Sequence, residues 1–326
     1  MNPTSPPDSP ESEYPAIGAT LAELLALAVS AQPPETLWDD VRLRSVGTRP
    51  TMAGPPLGAA DATDPLTGHA QAVSELVALA DTIEASQWDV GAVHGWTVKG
   101  LFAHVAASER WFAWSAGLSD DPSAAAQFGP EPTDHIGFTA PAMVELLRLR
   151  PNEIVADLRA HAAAITGALR GLALADWDRL FRFYAFEGPM GANVIARTFE
   201  LWTHQEDVLR ALGRPLRAPD AGRLRMMSTV ATAMLPAGMQ LAGLSVADRS
   251  ARIVLTGPGG GTFVSMLDPH LTVGTAATHT LLIADVVDFC RVVARRLPID
   301  ELDMVVQGDH ALAHDLLVGA SMLAAD

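Results

Sequence analysis

The stretch Arg197-Thr-Phe-Glu-Leu-Trp-Thr-His-Gln-Glu-Asp207 places Glu200 and His204 four residues apart in a strongly helical context. At about 100° per residue, Asn193, Arg197, Glu200, His204 and Asp207 fall within an arc of roughly 80°, bordered by Val194, Leu201 and Val208. A carboxylate and an imidazole therefore face the same way, one turn apart. Taken alone, such a pair is either an exposed i, i+4 contact worth a few tenths of a kcal/mol or two ligands of a metal. A third ligand decides between these, and the strongest candidate is His104 in Gly95-Trp-Thr-Val-Lys-Gly-Leu-Phe-Ala-His104-Val-Ala-Ala-Ser-Glu-Arg-Trp111. Its helical neighbours Leu101, Ser108 and Trp111 make a mostly apolar face, so His104 is either a hydrogen-bonded core histidine or a ligand pointing into a bundle.

Two imidazoles and one carboxylate suit Zn²⁺ with a position left open for water or substrate, and equally suit a non-haem Fe(II) facial triad. Peptide hydrolysis of the HExxH type is excluded, because Leu201, Trp202 and Thr203 fill the intervening positions and supply no glutamate base. Arg197 and Asp207 share the ligand face and are the candidate catalytic residues. Asp207 is placed to accept a hydrogen bond from a metal-binding histidine, and Arg197 to neutralise Glu200 or hold a substrate carboxylate. Trp96, Trp111, Trp114 and Trp202 are expected near these ligands, as core or as pocket wall.

Outward from this segment the periodicity is helical. Helices are expected over His69 to Ser86, over Thr97 to Gly117 with Thr97 as N-cap, over Ala140 to Leu172 with a break near Pro151, and from Gly188-Pro-Met-Gly191 to the stop at Gly213-Arg-Pro215. Four such helices make a bundle whose interior can host ligands from facing helices. After Pro219 a helical stretch, Ala221 to Leu244, leads to two strands, Ala251 to Thr256 and Thr262 to Met266, joined by Gly257-Pro-Gly-Gly-Gly261. A strand over Thr278 to Ile283, a helix over Ala284 to Leu297, a strand over Leu302 to Gln307 and a helix from Asp309 complete an α+β pattern. The glycine run lacks a GK[ST] ending and reads as a hairpin turn, not a phosphate loop. His310 and His314, also four apart, read as exposed helix decoration. The expected organisation is an N-terminal extension over residues 1–66, a helical bundle over 67–217 and a small α+β domain over 218–326.

The extension opens with Met1 to Pro15, rich in Pro, Ser and acid and read as disordered. Short helices are expected at Thr20 to Val29 and Glu35 to Val46, then a Pro/Gly-rich linker from Arg49 to about Pro65. Across all 326 residues the formal charge is −16, which argues against nucleic acid and anionic membrane surfaces as partners. No segment reads as a signal peptide or a clean membrane span. Cys290 is the single cysteine, so no internal disulfide or Cys-rich zinc site is available, and a reducing cytoplasmic compartment fits best.

Three phrases in order resemble the mycothiol-dependent maleylpyruvate isomerase family. They are Gly95-Trp-Thr-Val-Lys-Gly-Leu-Phe-Ala-His104, the Arg197 to Asp207 segment, and Asp288-Phe-Cys-Arg-Val-Val-Ala-Arg-Arg-Leu297 with Gly308-Asp309 and Leu312-Ala313. The resemblance spans roughly residues 68 to 325. It implies a DinB-like four-helix bundle that binds a divalent metal, normally zinc, through His104, Glu200 and His204, followed by a small α+β domain. It also implies mycothiol as thiol cofactor, bound between the two. The expected activity is isomerisation of, or transfer to, a small electrophilic substrate by a thiol held as metal-bound thiolate. A second resemblance is shorter: Leu21-Ala-Glu-Leu-Leu-Ala-Leu-Ala-Val29 is similar to a linker of some anti-sigma factors, without their Cys/His ligands. It implies, as the alternative, a non-catalytic regulatory protein whose N-terminal segment takes a protein partner.

Overall fold

The computed structural model describes residues 64–118, 135–172, 174–177, 179–183, 186–268 and 278–324. The helices expected at Thr20 to Val29 and Glu35 to Val46 lie outside the described residues, as does nearly all of the linker before Pro65. What is described is mostly helical, with a small mixed sheet in the C-terminal part.

Four helices form the bundle: α1 (Pro65–Ala80), α2 (Val98–Ser115), α4 (Pro151–Arg170) and α5 (Met190–Ala211), with α3 (His135–Leu146) against α2. Helices α1, α2 and α4 start where the sequence supplies a partner for the first free N–H groups. Asp64 accepts from the Thr67 amide and Thr97 Oγ1 from the Gly100 amide (3.1 Å), caps worth about 1 kcal/mol each. Pro151 opens α4, and Glu153 reaches back to the Arg150 amide. Apolar residues then recur at helical spacing, as in α4, where Ile154, Leu158, Ala162, Ile165 and Leu169 are buried against Leu76, Leu101, Phe102 and Phe112.

The break expected near Pro151 is a full interruption, with α3 and α4 as separate helices. Before α5 the chain makes a β-hairpin that the periodicity did not predict, β1 (Leu180–Phe183) with β2 (Phe186–Pro189). Asn193 Nδ2 donates to the carbonyls of Gly188 (2.9 Å) and Pro189 (3.2 Å), which fixes the hairpin on the first turn of α5. Gly213, at φ +62°, ends that helix in the left-handed conformation that glycine adopts most readily.

The stretch expected as one helix from Ala221 to Leu244 is two, α6 (Ala221–Ala233) and α7 (Leu235–Leu241). Pro236 has no amide to continue the ladder and sits instead in the first turn of α7. The sheet has the order β4-β3-β5-β6, with β3 (Ser250–Thr256), β4 (Gly261–Met266), β5 (Thr280–Asp285) and β6 (Met304–Gly308). The register pairs Ile253 with Phe263 antiparallel and with Leu282 parallel, and Ile283 with Val305 antiparallel. The Gly257 to Gly261 run is the β3–β4 turn. A Cβ on Gly259 would lie 2.3 Å from the Ala221 carbonyl oxygen, so only glycine lets the turn meet the start of α6. Helices α8 (Val286–Val293) and α9 (His310–Ser321) cover one face; α8 stops four residues short of the expected Leu297.

Two apolar cores result, and α5 serves both. Met190, Val194, Leu201 and Val208 enter the bundle core, whereas Trp202, with Ile195 and Phe199 beside it, belongs to the core of the sheet and its helices. Polar side chains of the same helix occupy the remaining arc.

Candidate metal centre

His104 projects from the middle of α2 and Glu200 and His204 from the middle of α5. The two helices bring one ligand atom from each residue within 4.8 Å of the others. Glu200 Oε1 lies 3.3 Å from His104 Nε2 and 3.9 Å from His204 Nε2. Two ligands each about 2.1 Å from a tetrahedral zinc ion stand about 3.4 Å apart, so this spacing admits such an ion with little movement. Both histidines are fully buried, and although the Glu200 side chain retains 12% of its exposure, its two carboxylate oxygens are buried with them.

The protonation pattern of His204 follows from its surroundings. Nδ1 donates to Asp207 Oδ2 at 3.1 Å, the contact that in a neutral imidazole places the proton on Nδ1 and the lone pair on Nε2. That Nε2 is buried with no hydrogen-bond partner among the described residues. An orphaned imidazole nitrogen directed at a carboxylate oxygen and a second imidazole is what a metal ligand requires, so the donor set fits a divalent ion. The Trp96 ring covers His104 at 4.7 Å between centroids and an interplanar angle of 30°.

Arg197 and Asp207 both lie beside this cluster. Arg197 is fully buried. Its Nη1 pairs with Glu200 Oε2, and its Nε and Nη2 donate to Glu109 Oε1 at 3.1 and 2.8 Å. The guanidinium is thus directed at Glu200 and Glu109, and no edge of it faces solvent. Asp207 receives, besides His204, a two-pronged contact from Arg296, with Nε and Nη2 each at 2.8 Å. Burial alone would raise its pKa; the hydrogen bonds from His204 and Arg296 outweigh that and hold the carboxyl below its ordinary value.

The expected tryptophan cluster divides. Trp96 touches the site and Trp111 is buried in the bundle core, but Trp202 points to the other core and donates from Nε1 to the Arg217 carbonyl. His310 and His314 are exposed, and they form no metal-type group among the described residues. Cys290 is fully buried in the sheet-side core, where burial pushes its thiol pKa up.

Sequence reasoning missed Glu109, Glu206 and Arg296. Glu109, in α2, is fully buried between Arg197 and His69, whose Nε2 donates at 3.3 Å. Burial disfavours its charge, yet Arg197 and His69 hold the carboxyl at about 2. Glu206 binds Arg291 (2.7 Å) and Arg210 (2.7 Å). One signal was present in the sequence: Glu109 lies five residues after His104 in an otherwise apolar run, where a charge must be paired.

Residues 69–209 match the family model described as the mycothiol maleylpyruvate isomerase N-terminal domain. Among solved structures, a mycothiol-dependent maleylpyruvate isomerase is similar at a TM-score of 0.46 and 14% identity, and an alanine mutant of such an isomerase at 0.48 and 13%. Each match covers 74% of this chain and 91% of the other. No curated protein matches. No helix among the described residues is long and apolar enough to cross a membrane. The helices that supply His104, Glu200 and His204 thus lie largely within the segment, residues 69–209, that is similar to the mycothiol maleylpyruvate isomerase N-terminal domain.

Proposed function

We propose that this chain is a divalent-metal enzyme that uses a low-molecular-weight thiol, mycothiol, on a small electrophilic substrate. The observation that carries the reading is the convergence of His104, Glu200 and His204 within 4.8 Å, inside a bundle that is similar to this family's N-terminal domain. In this reading the three residues hold the ion, zinc by preference. When bound, the ion lowers the pKa of a thiol that coordinates it, so that the thiolate, the nucleophilic form, is available at neutral pH.

The chain's own groups have defined tasks. His104 and His204 each present Nε2. Asp207 keeps the His204 proton on Nδ1, and Arg197 occupies Oε2 of Glu200 so that Oε1 faces the imidazoles. Trp96 shields His104 from water. Cys290 is no candidate nucleophile, being buried in the other core with a raised thiol pKa, and this directs the choice to an external thiol. Addition of that sulfur to an activated carbon–carbon double bond turns it into a single bond about which rotation is free. Expulsion of the same thiol restores the double bond with the other geometry, which is isomerisation. Expulsion of a different leaving group makes the same site an S-transferase. A reducing cytoplasm, where a small thiol stays reduced, is the setting we infer.

We keep, as part of this proposal, a bundle over 67–217 and an α+β unit over 218–326. Elemental analysis of purified protein is expected to find about one zinc per chain, lost in His204→Ala. Calorimetry with mycothiol is expected to give binding that a chelator abolishes. Protein free of metal, or mycothiol binding that is indifferent to the chelator, would sink the reading.

A further inference from the structure

Behind Arg197 stand two buried residues, Glu109 and His69, with no task assigned so far. His69, Glu109 and Arg197 are each fully buried, and they extend the ligand cluster from α5 through α2 to α1. Placing a guanidinium beside a ligand carboxylate appears counterproductive. Two neutral imidazoles and Glu200 offer a divalent ion one negative charge; a permanent cation paired with that carboxylate cancels it and repels the ion. The arginine is also too deep to be screened by water or salt. Something must restore the balance.

We infer that Glu109 is a positioning residue of the metal centre: it neutralises Arg197, so that Arg197 can fix the orientation of Glu200 without withdrawing the negative charge that the ion needs. The division of the guanidinium supports this. Its Nε and Nη2 edge is used on Glu109, and Nη1 is left for Glu200 Oε2. With Oε2 so occupied, Oε1 is the oxygen that lies 3.3 and 3.9 Å from the two imidazole nitrogens. The formal sum of Arg197, Glu109 and Glu200 is one negative charge, the same as Glu200 alone. His69 completes the device by donating Nε2–H to Glu109, so that the carboxylate is not dependent on the arginine alone for its charge. Glu109 thereby reaches the ion only through Arg197 and Glu200, and touches neither ligand nor substrate.

This inference rests on the metal reading above, and cobalt(II) titration of the chelator-treated full chain separates the two. Wild-type protein is expected to bind one Co²⁺. Glu109→Gln, which keeps the shape but strands the cation, is expected to bind it about 10–100-fold more weakly. In Glu109→Gln/Arg197→Met the stranded cation is gone as well, so that neither position leaves an uncompensated buried charge. That double variant is expected to bind Co²⁺ more tightly than Glu109→Gln alone. Its visible cobalt spectrum is expected to weaken in intensity, since Glu200 is then free to use both oxygens and raise the coordination number. A structural role for Glu109 would not produce recovery on a second substitution. Wild-type affinity in Glu109→Gln, or a double variant that binds no better than the single, overturns the inference while leaving the metal reading intact. A wild-type chain that takes up no cobalt removes both.

Discussion

Two charge networks flank the ligands on α5, and they are built differently. The one behind Glu200 is internal to the bundle: Arg197, Glu109 and His69 are fully buried and come from α5, α2 and α1. The one behind His204 crosses to the C-terminal part, where Arg296 grips Asp207 and Arg291 grips Glu206 while both arginines keep partial exposure. The carboxylate ligand is thus supported by the body that supplies it, and the imidazole ligand by its neighbour. Charge deep in the bundle has no alternative partner, whereas charge at the junction can fall back on water.

The largest expected effect that separates the networks is Arg197→Met. It leaves Glu109 buried beside His69 alone, and removal of one member of a buried pair costs about 3–5 kcal/mol. Urea unfolding of metal-free protein measures it, and a cost under about 1 kcal/mol would place the bundle network on the same footing as a surface pair. Acid is the second probe. Glu109 is held at about 2 against an ordinary 4.5, so its contribution is complete above pH 4.5 and disappears as the pH falls toward 2. That depression corresponds to about 3 kcal/mol, and Asp207, also lowered, acts in the same direction. Unfolding free energy of metal-free Glu109→Gln is therefore expected to be flatter than wild type between those limits; parallel curves would assign the acid sensitivity elsewhere.

The junction network calls for gentler tests. Arg296→Met removes the two-pronged hold on Asp207 but leaves its contact with His204, and is expected to weaken metal binding by about tenfold with about 1–2 kcal/mol of stability. Arg291→Met is the smallest: Glu206 retains Arg210, so about 1 kcal/mol or less is expected to be lost and metal affinity is unchanged. Equal effects of Arg296 and Arg291 substitutions on metal affinity would erase the distinction between them.

Legibility in the sequence followed the range of each interaction. The three expected ligands meet because their helices were readable from local signals: the Thr97 cap, the apolar spacing and the glycine stop at Gly213. The Gly257 to Gly261 turn and its strands were local in the same way. Glu109 and Arg296 were not, because their partners Arg197 and Asp207 are 88 and 89 residues away and no spacing rule links them. The β1–β2 hairpin escaped because four-residue strands carry too little alternation to register. Trp202 was expected near the ligands, as core or as pocket wall, and it is core, but in the cluster opposite the one that Leu201 enters. The single helix expected from Ala221 to Leu244 divided because apolar residues continue across the break, and only Pro236 marks it.

The double service of α5 also limits how the molecule can be divided. A cut in the loop after Gly213 does not release two finished parts: the bundle half would carry Ile195, Phe199 and Trp202 on an uncovered surface, with Glu206 and Asp207 deprived of Arg291 and Arg296. The C-terminal part is in that respect the missing wall of the bundle, and the two would be inherited, expressed and unfolded as one object.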